Sequence, residues 1–173
     1  MRNRAFLKAA GSGDYAAVAE LIEQGIDLNF HEEEGLGRTT LMKACRHGHV
    51  GIVRLLLAIG ARTDEQDASG DTALSYAACN GYMEIMKLLL DHGADTGLSN
   101  KAGRTVPEEV GYELLAKHDL TDEKRTEAQK QFWEFITICG HHNQEGNGPE
   151  TSPHQDVNRF PIVSLRSFLV CRG

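Results

Sequence analysis

The sequence is poor in cysteine, proline and aromatic residues, and it has no long apolar run. It holds 4 cysteines, 4 prolines and 1 tryptophan, and aromatic residues make up 6 % of the 173 residues. Scattered cysteines without a recognisable signal peptide do not make a disulfide framework, so we expect reduced thiols and a cytoplasmic or nuclear location. The most apolar windows, 52–61 and 162–171, are interrupted by arginine and fall short of the roughly 20 residues of a spanning helix. We therefore expect a soluble protein without membrane contact.

The chain also lacks an excess of positive charge. Lys and Arg number 18 against 25 Asp and Glu, which gives a formal net charge of −7 at pH 7, and the two signs are interspersed. A surface that follows nucleic acid phosphates needs clustered cations. Nucleic acid is therefore not expected as a partner.

What the chain does contain is an internal repeat. Residues 37–62, GRTTLMKACRHGHVGIVRLLLAIGAR, recur 33 residues later as residues 70–95, GDTALSYAACNGYMEIMKLLLDHGAD. A period of this length is typical of a stacked solenoid. The positions that match without a gap are Gly37 and Gly70, Thr39 and Thr72, Leu41 and Leu74, Ala44 and Ala77, Gly48 and Gly81, Leu55 and Leu88, Gly60 and Gly93, and Ala61 and Ala94.

Two further copies flank this pair. The upstream copy, AFLKAAGSGDYAAVAELIEQGIDLNF, aligns after a shift of 35 residues, because two residues are inserted in HEEEGLG. Its polar Asp14 and Glu20 suit a terminal repeat with one face open to water. A fourth copy opens as NKAGRT, residues 100–105, and then diverges, since Leu114 stands where Gly48 and Gly81 lie in the complete copies.

These copies resemble the ankyrin repeat, whose pattern runs roughly D-x-x-G-x-T-P-L-x-x-A-A-x-x-G-H-x-x-V-V-x-L-L-L-x-x-G-A. The resemblance covers about residues 5–111, and residues 67–99 match the pattern best. It implies an all-α fold, an ankyrin-repeat solenoid of helix-turn-helix pairs joined by β-hairpin loops, with a C-terminal capping helix. We divide the chain into three repeats plus a partial fourth at 1–111, a capping helical segment at 112–140, and a flexible tail at 141–173.

Local signals mark the ends of the helices in repeats two and three. Thr39 and Thr72 stand where an N-cap hydroxyl can accept from the first free amides of an inner helix. Gly60 and Gly93 stand where a left-handed residue ends an outer helix. The outer helices carry too many apolar residues for one exposed face, so each is expected to lie between neighbours: Ile52, Val53, Leu55, Leu56 and Leu57, then Ile85, Met86, Leu88, Leu89 and Leu90.

Two departures from the family pattern concern the start of the inner helices. The usual proline after the threonine is replaced by Thr40 and Ala73, and the usual histidine is replaced by Met42 and Ser75. In the family these residues tie the helix start and link adjacent repeats. Their absence predicts a stability below that of the family consensus.

The sequence after residue 111 predicts a capping helix followed by a tail. In LTDEKRTEAQKQFWEFITICG, residues 120–140, the side chains of Phe132, Phe135 and Ile136 fall on one helical face. Residues 141–158 have almost no apolar side chain and cannot repay the entropy of ordering. The last fifteen residues are apolar again, and three readings stay open: they dock back, add a strand to a partner, or are an orphan end. An origin in an alternative exon also stays open, because this end is unrelated to the repeats.

Groupings that could carry catalysis or bind a metal are weak. Cys139, His141 and His142 are spaced too tightly for a zinc pair, and the glutamates at 32–34 are interpreted as a solvated loop tip. Ser75 and the histidines of the repeats recur at structural positions, which disfavours nucleophilic catalysis. No glycine-rich phosphate loop follows a predicted strand. We expect no enzyme activity, no metal and no cofactor.

The family resemblance implies a binding module whose partner lies on the concave side, formed by hairpin tips and exposed inner-helix positions. We expect a monomeric adaptor or scaffold that binds a protein of unknown identity. The alternative is a regulatory or substrate-recruiting subunit of an enzyme complex such as a ubiquitin ligase. A similarity to the L-x5-D-x-N pattern of hydroxylated ankyrin loops marks Asn29 as a modification site. Carried over by position, the protein-binding residues are Leu36, Arg38, Arg46, His47, Ala68, Ser69, Asp71, Cys79, Asn80, Lys101 and Arg104.

Overall fold

The computed structural model describes residues 2–108, and these form three consecutive helix pairs. Each pair consists of an inner helix, a tight turn and an outer helix, and a loop leads to the next pair. The helices are α1 (Arg2–Ser12), α2 (Tyr15–Glu23), α3 (Thr40–Arg46), α4 (Val50–Ala58), α5 (Ala73–Cys79) and α6 (Met83–Asp91).

The helices stack in two rows, as the repeat predicts. In the inner row α1 packs on α3 and α3 on α5, while in the outer row α2 packs on α4 and α4 on α6. Each inner helix also packs on the outer helix of its own pair. A solenoid is therefore confirmed for the described part of the chain, because these helix contacts all lie within one layer or between adjacent layers.

The core runs continuously between the two rows. Four of the five apolar residues predicted to be buried in each outer helix are buried, and Leu55 and Leu88 are partly buried. Burying a side chain of this size contributes roughly 1.5–3 kcal/mol. The buried residues of the outer helices are Ile52, Val53, Leu56 and Leu57 in α4, and Ile85, Met86, Leu89 and Leu90 in α6.

The predicted N-caps of the inner helices are confirmed. Thr39 Oγ1 accepts from the amide of Met42 at 3.3 Å, and Thr72 Oγ1 accepts from the amide of Ser75 at 3.3 Å. The residues that replace the family histidine close the cap in return, since the Thr39 amide donates to Met42 Sδ at 3.3 Å and the Thr72 amide to Ser75 Oγ at 3.2 Å. Although Met42 and Ser75 depart from the family pattern, each forms a reciprocal cap with the threonine at the start of its helix.

Two glycines allow neighbouring layers to approach closely. The His49 ring lies over Gly13 and the Tyr82 ring over Gly48, so a Cβ at either glycine would lie 2.7 Å or 2.8 Å from the ring. Both glycines also have positive φ, 79° and 75°. Any other residue would be strained there and would push the aromatic ring away. Gly60 and Gly93, the predicted helix stops, have φ of 89° and 82°.

The loops between helix pairs are short hairpins whose arms are joined by single backbone hydrogen bonds. The Glu32 amide donates to the Arg38 carbonyl at 3.1 Å, and the Asp67 amide donates to the Asp71 carbonyl at 3.0 Å. Within residues 2–108 the β structure is limited to one isolated bridge, Ser99 to Thr105. The described chain is therefore all-α, and its hairpins are too short to form named strands.

Adjacent hairpins are also bonded to each other at their tips. The Ala68 amide donates to the Leu36 carbonyl at 2.7 Å, and the Lys101 amide donates to the Ser69 carbonyl at 2.8 Å. The same contact is thus repeated one layer along. It fixes the spacing of the tips, which are part of the predicted binding surface.

The fourth repeat is described up to Glu108. Residues 106–108 are helical, with Pro107 in this first turn as predicted, and Glu108 Oε2 accepts from the Thr105 amide and hydroxyl, both at 2.8 Å. The predicted capping helix at 112–140 and the tail at 141–173 lie outside the described residues. In the described part of the chain, every helix is too short or too polar to cross a bilayer.

Candidate protein-binding surface

A hollow opens where the C-terminal ends of α3 and α5 meet the start of α6. Its volume is about 560 Å³. Five of the eleven residues predicted to bind protein line it, and sequence reasoning missed the other three, Ser75, Tyr76 and Tyr82. The predicted residues in this hollow are Arg46, His47, Asp71, Cys79 and Asn80.

Tyr76, on α5, is the residue that organises this surface. Its hydroxyl donates to Asp67 Oδ2 at 2.5 Å and accepts from Arg38 Nε at 2.8 Å. Asp67 is itself buried, and its Oδ1 accepts from the loop amides of Ser69 and Asp71 at 2.8 Å and 3.0 Å. Tyr76 therefore links α5 to the hairpin loop of its own repeat, through Asp67, and to that of the preceding repeat, through Arg38. Burial, followed by the hydrogen bond to Asp67, raises the pKa of Tyr76, so its hydroxyl keeps its proton.

Two arginines lie against the Tyr76 ring. The guanidinium carbon of Arg38 is 5.2 Å from the ring centroid, and that of Arg46 is 5.9 Å away. Both distances are within the range of cation–π attraction. Arg38 is half-buried and Arg46 is exposed. Tyr76 of the third repeat thus lies next to two arginines of the second repeat.

Neither of these arginines forms an ion pair within residues 2–108. Four other cations in that range do, and each has a carboxylate between 2.7 Å and 3.1 Å away. Two acids also belong to this surface, because Asp67 shares the Tyr76 hydroxyl with Arg38 and Asp71 lines the hollow. The positive charge is therefore local to Arg46 at the α3 end of the hollow. The paired cations are Arg4 with Glu34, Lys43 with Glu32, Arg54 with Glu84, and Arg62 with Glu65.

His47, the C-cap residue of α3, has a lowered pKa. Desolvation is the largest effect that lowers the pKa of His47, and the charges of Arg46, His49, Lys43 and Arg38 lower it further. The imidazole is therefore mostly neutral at pH 7 and can both donate and accept a hydrogen bond.

The remaining predicted residues lie at the hairpin tips. Leu36, Ala68 and Lys101 are exposed, with Leu36 at 37 %, and Ser69 is half-buried. Arg104 is half-buried as well. The tips are therefore a row separate from the hollow.

Asp71 belongs to both parts of the surface. It lines the hollow, and its Oδ1 accepts from Asn100 Nδ2 of the next loop at 3.2 Å. Asn100 Oδ1 in turn accepts from the Arg104 amide at 3.1 Å. Asp71 thus connects the hollow to the third of the hairpin tips.

Comparison with known proteins decides the family. The family model described as ankyrin repeats in three copies matches residues 6–100, more than half of the chain. The chain belongs to the ankyrin repeat family. Ankyrin repeats serve in protein–protein interaction and are generally not catalytic.

The similar proteins share only a small part of their length with this ankyrin chain. The ankyrin repeat and KH domain-containing protein mask-1 of Caenorhabditis elegans is 46 % identical over 59 residues, which are 34 % of this chain and 2 % of that protein. The probable E3 ubiquitin-protein ligase XBOS32 of Oryza sativa subsp. japonica is 36 % identical over 66 residues, or 36 % of this chain and 13 % of that protein.

Asn29, the predicted modification site, has a structural contact in this ankyrin domain. Its Oδ1 accepts from the Arg62 amide in the next repeat at 2.9 Å. Asp64 makes the corresponding contact one layer along, because its Oδ1 accepts from the Asp95 amide at 2.9 Å. Asn29 thus forms a hydrogen bond between two adjacent repeats. Its hydroxylation stays a prediction.

The other groups considered for chemistry are accounted for by local contacts. Within residues 2–108, no group of three His, Cys, Asp or Glu side chains is placed to hold a metal ion. In the acidic loop Glu33 and Glu34 are exposed, with Glu34 3.1 Å from the exposed Arg4, and the partly buried Glu32 pairs with Lys43 at 2.7 Å. Cys45 is fully buried, and burial raises the pKa of its thiol far above the usual range.

Proposed function

We propose that this ankyrin protein is a non-catalytic adaptor that binds a protein partner on its inner-helix surface, the concave side in the family. The observation that carries the proposal is the clustering of Arg46, His47, Asp71, Cys79 and Asn80 around one hollow.

The residue types around the hollow support a binding role. Arginine and tyrosine are enriched among the residues that dominate binding energy, and they act best where neighbouring side chains exclude water. Arg46 and Tyr76 are in contact here, on a scaffold held by packed helices. Rigid support lowers the entropy that the surface loses when a partner binds.

The test compares charge reversals on the two sides of the repeats. Arg46→Glu with Asp71→Arg changes the hollow, while Arg54→Glu with Lys87→Glu changes exposed positions on the outer helices. The full-length variants are used as bait in affinity capture with quantitative mass spectrometry. We expect the first pair to weaken capture of the enriched partner at least about tenfold with an unchanged circular dichroism spectrum. The second pair should leave capture unchanged, and the reverse result would overturn the assignment.

A second candidate function is a substrate-recruiting or regulatory subunit of a ubiquitin ligase complex. It is favoured by the names of two relatives, the probable E3 ubiquitin-protein ligases XBOS32 and XBOS33 of Oryza sativa subsp. japonica. The deciding comparison is full-length protein against a fragment that ends at Gly140. Recovery of a ubiquitin ligase with the full chain and its loss with the fragment would support this candidate. Equal recovery of the same non-ligase partners would support the adaptor.

A further inference from the structure

Resting on the proposed function, we propose that the hollow binds an extended acidic peptide segment of the partner. A carboxylate side chain of the segment contacts Arg46 and His47, and the adjoining peptide lies against Tyr76. The inference deepens the adaptor proposal by naming the chemistry of its partner.

Charge is the first argument. The chain as a whole is acidic, with a net charge of −7. Even so, Arg38 and Arg46 lie against one ring and have no ion-pair partner within residues 2–108. Asp67 offsets Arg38 through the shared Tyr76 hydroxyl, and Asp71 enters the hollow from the loop, so the exposed Arg46 at the α3 end is the cation left to attract an anion. A carboxylate beside Arg46 would supply that anion, and the charge pattern would disfavour basic segments.

The second argument is that the cations are held in place before any partner arrives. Arg38 Nε donates to the Tyr76 hydroxyl at 2.8 Å, and that hydroxyl is fixed by the buried Asp67. The guanidinium carbon of Arg46 lies 5.9 Å from the centroid of the same ring, within the range of cation–π attraction. A planar guanidinium that is already attracted to a ring loses less freedom when it forms a bidentate bond with a carboxylate.

The third argument is that the walls of the hollow suit a peptide backbone and give it a direction. Asn80 Nδ2 donates to the Tyr76 carbonyl at 2.8 Å, which leaves Asn80 Oδ1 to accept from a peptide amide. Asp71 enters from the loop, whereas Arg46 and His47 enter from the end of α3. The acidic residue therefore belongs at the α3 end, and the residue near Asp71 should be neutral or basic.

Selection from random peptides tests the proposal without knowledge of the partner. Phage-displayed dodecapeptides are selected on the full-length protein, and the enriched sequences are synthesised and measured by fluorescence anisotropy. We expect enrichment of Asp and Glu, and a loss of affinity of about tenfold or more for Arg46→Glu. Arg54→Glu is the matched control and should bind as the wild type does. Replacing the key Asp or Glu of the peptide by Asn or Gln should lower the affinity for the wild-type protein by a similar factor. The same replacement should cause no further loss of affinity for Arg46→Gln.

Three results would overturn the inference. These are enrichment of neutral or basic peptides, acidic peptides that bind wild type and Arg46→Glu equally, and poly-glutamate that binds as tightly as the selected sequences. If no acidic peptide binds but Arg46→Glu with Asp71→Arg still abolishes capture of the partner protein, the inference fails and the adaptor proposal stands. If the double variant leaves capture intact, the adaptor surface itself is wrong.

Discussion

The guanidinium of Arg46 lies 5.9 Å from the ring centroid of Tyr76, across the boundary between two repeats. Arg46 is at the end of α3, and Tyr76 is in the middle of α5. The contact exists because the two inner helices pack side by side. A site built in this way depends on correct stacking of the layers, so the domain has to be folded for the surface to form.

Removing the Tyr76 hydroxyl should destabilise the domain. Tyr76→Phe loses the hydrogen bonds to Asp67 and from Arg38, and it leaves the buried carboxylate with one partner fewer. We expect a loss of about 1–3 kcal/mol in the free energy of unfolding, measured by urea denaturation. Tyr82→Phe is the control, because the Tyr82 hydroxyl has no hydrogen bond within residues 2–108, and it should change stability little. Equal effects at the two positions would contradict the role given to Tyr76.

Proline at position 40 should stabilise the protein. Thr40 is the first residue of α3, and its buried hydroxyl has no hydrogen-bond partner in the described structure. The preceding Thr39 has ψ of 168°, which suits a residue before proline. Thr40→Pro removes the unpaired hydroxyl and lowers the entropy of the unfolded chain, so we expect a gain of about 1 kcal/mol or more.

The control for this substitution is the same position one repeat later. Ala73 is the first residue of α5 and has no hydroxyl to remove. Ala73→Pro should therefore gain only the entropic part, about 0.4–1 kcal/mol. Calorimetric melting of both variants checks the difference, and a lower melting temperature for Thr40→Pro would count against the helix start described above.

Binding of an acidic peptide should strengthen as the pH falls from about 7.5 to 6. In the free protein the pKa of His47 lies below its usual 6.5, because of desolvation and then the charges of Arg46, His49, Lys43 and Arg38. A bound carboxylate favours the protonated imidazole and raises this pKa, so binding takes up a proton. Anisotropy titrations at several pH values measure the trend. His47→Gln should flatten it, and a pH dependence that survives this variant would assign it to another group.

The pair formed by His31 and Glu65 should stabilise the domain most in mildly acidic solution. His31 Nε2 lies 3.0 Å from Glu65 Oε2 and Nδ1 lies 2.7 Å from the Gly37 carbonyl oxygen, and both oxygens accept, so the doubly protonated ring satisfies both. These contacts, Glu65 first, raise the pKa of His31 above 6.5. A hydrogen bond from Arg62, followed by His31, lowers the pKa of Glu65 below 4.5.

The sign of the pH effect follows from these two shifts. The His31 contribution is complete below pH 6.5 and is lost as the pH rises through its raised pKa in the folded protein. The Glu65 contribution is complete above pH 4.5 and is lost as the pH falls through its lowered pKa. The melting temperatures of wild type and His31→Gln should therefore differ more at about pH 5.5 than at about pH 8. A difference that grows with pH would contradict the assignment.

Position 29 should tolerate aspartate but not alanine. Asn29→Ala removes the acceptor of the Arg62 amide and should cost about 1 kcal/mol. Asn29→Asp keeps an acceptor there, as Asp64 does for Asp95, and should be close to neutral. Urea denaturation compares the two variants. Peptide mass spectrometry after treatment with an asparaginyl hydroxylase tests the modification separately, and the absence of an added oxygen on Asn29 would dismiss it.

The repeat pattern predicted most of the fold because each of its features is local or periodic. The caps at Thr39 and Thr72 depend on residues three positions away, and helical spacing placed Leu56 and Ile85 in the core. Since neighbouring layers are nearly identical, the same spacing also predicted which helices stack. The reciprocal caps formed by Met42 Sδ and Ser75 Oγ were missed, because the family pattern gives another residue there.

The sequence predicted some of the residues of the candidate site and missed others. The family resemblance, carried over by position, selected Arg46, His47 and Asn80 at exposed inner-helix positions, and they do border one hollow. Tyr76 was overlooked, although a signal existed, since the matching positions in the other copies are Lys8 and Lys43 and an aromatic residue replaces them there.

The sequence alone determined the family, the layers and the ends of the helices, because these follow from spacing along the chain. The tertiary structure decided which charges meet. Arg38 and Tyr76 are 38 residues apart, and their hydrogen bond depends on the side-chain geometry between two layers. A repeat pattern specifies that neighbouring layers touch, but the paths of long side chains across the boundary depend on packing. The hollow beside Tyr76, with Arg46 at its α3 end and Asp71 at its loop side, is therefore a property of the stack and not of any single repeat.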